Sequence, residues 1–164
     1  MNKGNLIGGF KAIGKTTIAD KYENVIDLES SDYEYYFSDN IKNISKEERK
    51  GRTDRIKNPE YPMNYINAMI KLKNEGKIVL FACKKEIIDI LNELNEEYLI
   101  VYPKEEMLDE IIERCKKRGN IEEFINKIRK VYERDYPQDE EKVIWLNYNQ
   151  FIEEILLEKG IIRK

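Results

Sequence analysis

The residues with the clearest capacity for chemistry lie near the start of the chain. Gly9 and Gly14 enclose four residues and are followed directly by Lys15 and Thr16, which completes the pattern Gly-x-x-x-x-Gly-Lys-[Ser/Thr]. Glycines let the chain turn tightly and direct successive N–H groups at phosphate oxygens. The lysine of this pattern reaches the β- and γ-phosphates of a nucleotide, and the hydroxyl after it is a ligand for Mg²⁺. The pattern therefore predicts a phosphate-binding loop over residues 9–16.

The sequence around this loop provides the context that it needs. Residues 5–7 are typical of a short strand and residues 15–22 of a helix, so the loop would join a strand to a helix whose first N–H groups and dipole favour an anion. We predict that a nucleotide with Mg²⁺ binds here. The predicted binding residues are Gly9, Ala12, Ile13, Gly14, Lys15, Thr16 and Thr17.

A second group of candidates follows the next predicted strand, at residues 25–28. Asp27, Glu29 and Asp32 are three carboxylates within six residues, separated by hydroxyl and apolar side chains. Ligands of an open parallel sheet bind beyond the carboxyl ends of its strands, which would place these groups level with the phosphate-binding loop. They could support a metal-bound water, which makes Asp27 a second metal candidate with Thr16, or orient and deprotonate an acceptor. The alternative is a polar strand end with Asp32 as a helix N-cap. The sequence does not show which of the three carboxylates has a functional role.

A third group consists of arginines on two predicted helices. Arg114 and Arg118 are four residues apart and share a helix face, and Arg129 and Arg134 lie on the next helix. Transfer of a phosphoryl group needs cations over the developing charge, and a helical hairpin over residues 105–136 could bring them in as a lid. The alternative is a solvated charged face, because acidic and basic side chains surround these arginines.

The segment over residues 33–60 is polar, charged and aromatic, and its structure is hard to predict. Its aromatic rings could stack on a base and its arginines grip a monophosphate, which would make it an acceptor-side insert. They could equally pack as a helical cap over the sheet. The residues concerned are Tyr33, Tyr35, Tyr36, Phe37, Arg49, Arg52 and Arg55, with Tyr61 and Tyr65 beyond them.

The rest of the chain alternates between strand and helix patterns. Ile78–Ala82 is a continuous apolar run, typical of a strand buried on both faces of a parallel sheet. Its end carries no acidic residue, which argues against a motor ATPase and favours a small phosphotransferase. The alternation predicts an α/β fold with a parallel sheet covered by helices on both faces. Further strands are predicted at residues 98–102 and 143–146, and further helices at residues 62–74, 87–94, 107–115, 121–131 and 151–156.

Composition narrows the class of protein. The chain has 164 residues, 41% hydrophobic and 37% charged, which suits one compact domain. A net charge of −3 gives no overall basic field, so a nucleic-acid partner is possible but not favoured. No apolar run is long enough for a membrane span, and no secretory segment is evident, so we expect a cytoplasmic location. There is no histidine, which removes histidine-based acid–base and zinc chemistry, and the two distant cysteines are expected to be reduced core thiols.

This order of features resembles the adenylate-kinase-like group of small-molecule kinases. Asp27-Leu28-Glu29 is similar to the Asp-x-Asp that follows the second strand of gluconate and shikimate kinases. Ile78–Cys83, running into two lysines, resembles the gluconate-kinase strand that ends in small and basic residues. Leu99–Tyr102 followed by Arg114–Arg118 resembles their strand and lid. Glu29 in place of the second Asp, and a different end of the lid, argue against a gluconate or shikimate substrate.

The chain is still more similar to nucleotide kinases of phages and prophages of Gram-positive bacteria. The shared segments are Ile26–Ser31, Asn58–Ile66 and Glu113–Phe124. The resemblance implies a single P-loop kinase-like domain over residues 1–164, with a five-stranded sheet in the order 2-3-1-4-5, ATP and Mg²⁺. We predict an ATP-dependent phosphotransferase acting on a small acceptor, with a nucleoside monophosphate favoured. The alternatives are a polynucleotide 5′-end kinase and a nucleotide-responsive binding module without transferase activity.

Overall fold

A computed structural model of the chain describes residues 4–36 and 56–163. Its main sheet has five parallel strands in the spatial order β2-β5-β1-β6-β7. Counted along the chain within this sheet alone, the order is 2-3-1-4-5, as predicted. A second, antiparallel sheet pairs β3 with β4. The strands are β1 (Asn5–Gly9), β2 (Val25–Asp27), β3 (Tyr35–Tyr36), β4 (Ile56–Lys57), β5 (Ile78–Ala82), β6 (Leu99–Pro103) and β7 (Val143–Leu146).

The central strands of the main sheet are apolar because they have neighbours on both edges and helices on their faces. β5 lies between β1 and β2, and its residues Ile78–Phe81 are buried. β1 lies between β5 and β6 and runs close against β5. A Cβ at Gly8 would come within 2.9 Å of Cζ of Phe81, so a side chain larger than hydrogen would force this ring to move.

Helices surround the sheet, and the alternation of strand and helix confirms the predicted α/β class. In the described ranges, none of them combines the length and apolarity that crossing a bilayer requires. The two cysteines, Cys83 and Cys115, are buried and form no disulfide, as predicted. The helices are α1 (Lys15–Lys21), α2 (Ser31–Glu34), α3 (Met63–Asn74), α4 (Lys85–Glu93), α5 (Leu108–Lys117), α6 (Glu122–Asn126), α7 (Ile128–Arg134) and α8 (Ile152–Glu158).

Two of the predicted helices differ in the structure. The helix predicted over residues 121–131 is two short helices, α6 and α7, because Lys127 makes a tighter turn in which its N–H donates to Phe124 O at 3.3 Å. Phe151, predicted as part of the apolar face of the last helix, instead precedes α8 as its N-cap and is 42% exposed. Its ring is therefore available to the site described below.

The segment predicted as a lid, residues 105–136, is anchored to the sheet near both ends. α5 buries one apolar face, and α7 buries Ile128 and Tyr132. The Tyr132 hydroxyl donates to Pro103 O at 2.9 Å, and the Tyr102 hydroxyl donates to Tyr132 O at 2.8 Å. Closure of this segment stays a prediction.

Candidate active site

The phosphate-binding loop turns sharply between β1 and α1. Ala12 and Gly14 have φ angles of 58° and 98°, a region in which glycine is at ease and other residues are strained. A Cβ on Gly14 would also lie 3.1 Å from the ring of Phe151. Within residues 4–36 and 56–163, the N–H groups of residues 11–14 donate no hydrogen bond. The turn therefore leaves consecutive amides available for phosphate oxygens.

Lys15 and Thr16 follow the loop as the first residues of α1. Lys15 Nζ donates to the carbonyl oxygens of Gly9 at 2.9 Å and Phe10 at 3.2 Å, which holds its ammonium over the loop. Thr16 Oγ1 donates to Asp27 Oδ2 at 2.9 Å, which joins the loop to the end of β2. The structure thus brings these three predicted residues together, and Thr17 lines the same cleft.

Thr16 and Asp27 together fit a magnesium ion. Asp27 Oδ1 is buried and has no hydrogen-bond partner among the described residues, and a buried carboxylate oxygen without a partner is costly unless a ligand satisfies it. Hydroxyl and carboxylate oxygens are the hard ligands that Mg²⁺ prefers. These two residues are the ones that would hold the ion.

The three carboxylates at the end of β2 do not share one environment. Asp27 and Glu29 line the cleft, as do Ser30 and Ser31, whose hydroxyl donates to Glu29 Oε1 at 3.3 Å. Asp32 lies in the single turn of α2, is exposed and does not line the cleft. The residue at the N-cap of α2 is Ser30 and not Asp32.

Tyr65 of α3 fixes the spacing between the ends of β2 and β5. Its hydroxyl donates to Leu28 O at 2.6 Å and accepts from Ala82 N–H at 3.0 Å, and its side chain is fully buried. Burial also raises the pKa of this phenol well above its usual value. Tyr65 is therefore a structural clamp and does not offer a face to a base.

Most of the other aromatic residues considered for base stacking are also packed or lie outside the described ranges. Tyr33 packs against Tyr65, with ring centroids 5.3 Å apart, and Tyr61 is 7% exposed. Tyr35 does line the cleft. Phe37, Arg49, Arg52 and Arg55, and the side chain of Tyr36, lie outside the described part of the chain.

Arg114 is hydrogen-bonded to the phosphate-binding loop. Its guanidinium donates to Ala12 O and Gln150 O, both at 3.0 Å, and pairs with Glu110. The group lies over the ring of Phe151, 3.9 Å from the centroid. Arg114 therefore ties α5 to the phosphate-binding loop and to the segment before α8, and its donors are engaged by carbonyl and carboxylate oxygens.

The other arginines separate into two groups. Arg118, at the end of α5, is exposed and lines the cleft, as does Arg134, which forms two hydrogen bonds with Asp135. Arg129 instead pairs with Asp109 and lies at a smaller cavity of about 270 Å³. Of the three, Arg129 is not part of the main site.

The main cleft has a volume of about 660 Å³ and extends from the phosphate-binding loop to the ends of β2, β5 and α7. Sequence reasoning missed several charged residues of its far wall. Glu34 pairs with Lys84 at 3.1 Å, and Asp135 accepts from Lys85 N–H at 3.0 Å. It also missed Lys11, which stands inside the motif, where any residue is allowed. Lys11 could have been found from the sequence, because it lies within the phosphate-binding motif. No sequence pattern pointed to Glu34 or Asp135 as residues of the site.

Two solved kinase structures have a fold similar to that of this chain. A gluconokinase from Sinorhizobium meliloti 1021 is similar, with a TM-score of 0.56 and 16% sequence identity over 97% of this chain and 91% of that one. A sugar kinase from Janibacter sp. HTCC2649, in its unliganded form, has a TM-score of 0.54 and 18% identity over 98% and 96% of the two chains. No protein-family model and no curated protein matches the sequence. At these identities the likeness shows a shared fold and no more.

Proposed function

We propose that the protein is an ATP-dependent phosphotransferase that moves the γ-phosphoryl group to a small acceptor, and that this acceptor is a nucleoside monophosphate. The observation that carries the proposal is the complete phosphate-binding loop whose Thr16 hydroxyl donates to Asp27 at 2.9 Å. This contact brings together the hydroxyl and the carboxylate that would support Mg²⁺ on the nucleotide phosphates. The fold shared with a gluconokinase and a sugar kinase supports the reaction class.

In this reaction an acceptor oxygen bonds to the γ-phosphorus as the bond to the β–γ bridging oxygen breaks, and ADP leaves. The N–H groups of residues 11–14 and the Lys15 ammonium would hold the β- and γ-phosphates, with Lys15 exchanging its two loop carbonyls for phosphate oxygens. Thr16 and Asp27 would hold Mg²⁺, which neutralises developing charge on these phosphates.

We assign different roles to the carboxylates on the basis of their positions. Asp27 accepts from Thr16, so we assign it to the metal and not to proton transfer. Asp32 is exposed and outside the cleft lining, which leaves Glu29 as the residue that orients the acceptor. A monophosphate acceptor attacks through an oxygen that is already ionised, so it needs no base. With a hydroxyl acceptor, Glu29 would take the proton.

We also assign different roles to Arg114 of α5 and to Arg118, which follows it directly. Arg118, at the edge of the cleft, is assigned to the charge that develops on the transferred group. Arg114 donates to Ala12 O and lies over Phe151, so it positions the loop and does not act on the reacting atoms.

The test is an ADP-release screen with Mg-ATP over nucleoside monophosphates, nucleosides, gluconate and other sugars, and oligonucleotides with a free 5′ hydroxyl. We expect release that depends on a nucleoside monophosphate, and a loss of about 10³-fold or more in the Lys15→Ala variant. Lys21→Ala is the matched control, because Lys21 lies on the same helix but pairs with Glu153 away from the loop.

The remaining outcomes decide between the alternatives. Release with oligonucleotides alone would identify a 5′-end kinase, and release with sugars alone would replace the proposed acceptor. Binding of Mg-ATP without acceptor-dependent release would favour a binding module and reject the transferase.

A further inference from the structure

Lys11, the third residue of the phosphate-binding loop, differs from the other cations of the cleft. Its side chain is partly buried and lines the cleft, and its ammonium lies between two aromatic rings, 5.6 Å from the centroid of Phe10 and 5.5 Å from that of Phe124. In the part of the chain that the structure describes, Lys11 has no hydrogen bond or ion pair. An ammonium group held beside aromatic rings without an anionic partner is only partly compensated.

Other cationic side chains of the same cleft either form ion pairs with the protein or are exposed to solvent. Lys84 pairs with Glu34 at 3.1 Å, and Arg134 pairs with Asp135 at 2.8 Å. Lys117 and Lys127 also line the cleft, but both are exposed to solvent. Lys11 therefore combines partial burial with the lack of a protein partner.

Four ionisable groups face Lys11 from the neighbouring elements. Lys84 and Cys83 follow β5, Lys15 begins α1, and Asp135 follows α7. The pKa of Lys11 falls to about 8, mainly because of burial. The positive charges of Lys84 and Lys15 lower it further. The Asp135 carboxylate opposes this change only in part, since it already accepts from Arg134 and from Lys85 N–H.

We propose that Lys11 forms an oxyanion subsite that takes a phosphate or carboxylate group of the acceptor. The positive charge of Lys84 is one of the causes that lower the pKa of Lys11, and an anion bound at Lys11 offsets this repulsion. Lys84 pairs with Glu34, which follows the acidic end of β2, so the subsite lies on the acceptor side of the cleft. The inference rests on the proposed function and defines the acceptor as a small anion.

The direct test is a sulfate titration followed by calorimetry. Sulfate keeps its charge across the pH range used, and the loop is first filled with Mg²⁺ and a non-hydrolysable imido analogue of ATP, so that sulfate cannot occupy the γ-phosphate position. An anion stabilises the charged form of Lys11, so its binding weakens as pH rises through the pKa. We expect sulfate to bind about 30-fold more weakly at about pH 9.5 than at about pH 6.5.

Two variants isolate Lys11 in this titration. Lys11→Met keeps the length of the side chain and should bind sulfate about 10- to 100-fold more weakly at neutral pH. Lys11→Arg keeps a charge that does not titrate in this range, so its sulfate affinity should stay flat with pH. An affinity that is flat with pH in the natural chain and unchanged in Lys11→Met would overturn the subsite. If Lys11→Met does not fold, the pH dependence of sulfate affinity in Lys11→Arg, compared with that in the natural chain, is sufficient to test the subsite.

Matched acceptor pairs identify the source of the anion. AMP is compared with adenosine, and gluconate with glucitol, each pair differing by its phosphate or carboxylate. We expect the anionic member of one pair to be preferred in ADP release, and this preference to be lost in Lys11→Met and retained in Lys11→Arg. A preference for neutral acceptors would overturn the subsite while leaving the kinase intact. A lack of ADP release with every acceptor would overturn the kinase proposal, and the sulfate titration would still decide the subsite.

Discussion

Arg114 and Arg118 offer a matched pair of substitutions, because they are the same residue type, one in the last turn of α5 and the other directly after its last residue. Arg114 donates to Ala12 O and Gln150 O, pairs with Glu110 and lies over Phe151. Arg118 is exposed at the end of the helix. We expect Arg114→Ala to destabilise the ligand-free protein strongly and Arg118→Ala to leave its stability nearly unchanged.

The magnitude follows from the contacts that Arg114 loses. Each hydrogen bond from a charged donor contributes about 1.5–3 kcal/mol, and stacking on an aromatic ring adds about 0.5–2 kcal/mol. These contributions are coupled and do not add fully, so we expect Arg114→Ala to lower the free energy of unfolding by about 3–5 kcal/mol. Arg118→Ala removes an exposed side chain whose polar contacts are weakened by solvent, so it should cost about 1 kcal/mol or less.

Urea unfolding measures the difference. Trp145 is the single tryptophan, and its ring packs 6.1 Å from Tyr102 and 5.7 Å from Tyr136, so its fluorescence reports on the core. A loss of this size lowers the urea midpoint by about 2 M for a domain of this length. Arg114→Lys keeps the charge without the forked donors and should remain destabilised. Equal midpoints for Arg114→Ala and Arg118→Ala would refute the positioning role.

Four further predictions concern the same region. Asp27→Asn should lower turnover about 10- to 100-fold and raise the Mg²⁺ concentration needed for ADP release; an unchanged Mg²⁺ dependence would exclude Asp27 from the metal site. Tyr65→Phe should cost about 2–4 kcal/mol in urea unfolding, because it leaves Leu28 O and Ala82 N–H without their partner; a loss below about 1 kcal/mol would contradict the clamp. Burial raises the pKa of Cys83 to about 12, so in Cys115→Ala this thiol should react with an aromatic disulfide at about pH 8 at least about 100-fold more slowly than in denaturing urea, and fast native labelling would show an accessible thiolate. Because the pKa of Lys11 is about 8 in the folded protein, against 10.5 for an unperturbed lysine, the unfolded chain binds more protons between these values and stability rises with pH across that window. Lys11→Met should remove this slope and, allowing for partial solvent access, add about 1–2 kcal/mol at neutral pH; a less stable variant would show that the charge is already compensated.

The parts of the molecule that could be predicted from the sequence are those fixed by local pattern. The phosphate-binding loop depends on residues within eight positions of one another, and a continuous apolar run such as Ile78–Ala82 specifies a buried strand by itself. The order of the five strands came from the family resemblance, and the structure has the same order.

The contacts that complete the site could not be predicted, because their partners are distant in the chain. The Tyr65 hydroxyl joins residues 37 and 17 positions away, and periodicity predicts only that such a side chain is buried. Arg114 meets Gln150 across 36 positions. The choice among Asp27, Glu29 and Asp32 depended on where β2 ends and α2 begins, and a shift of a few residues moves a carboxylate from the cleft to solvent.

The pairing of charges in the acceptor half of the cleft limits what can bind there. Glu34 with Lys84 and Arg134 with Asp135 already satisfy one another, so a ligand that displaces either pair must replace a partly buried ionic contact, which is costly. A small anion that binds at Lys11 avoids this cost, because it leaves both pairs intact and compensates a charge that the ligand-free protein leaves without an ionic partner. A neutral acceptor would leave the charge of Lys11 uncompensated, whereas an anionic acceptor would compensate it and also gain the contacts of the bound state. Both effects would favour anionic over neutral acceptors.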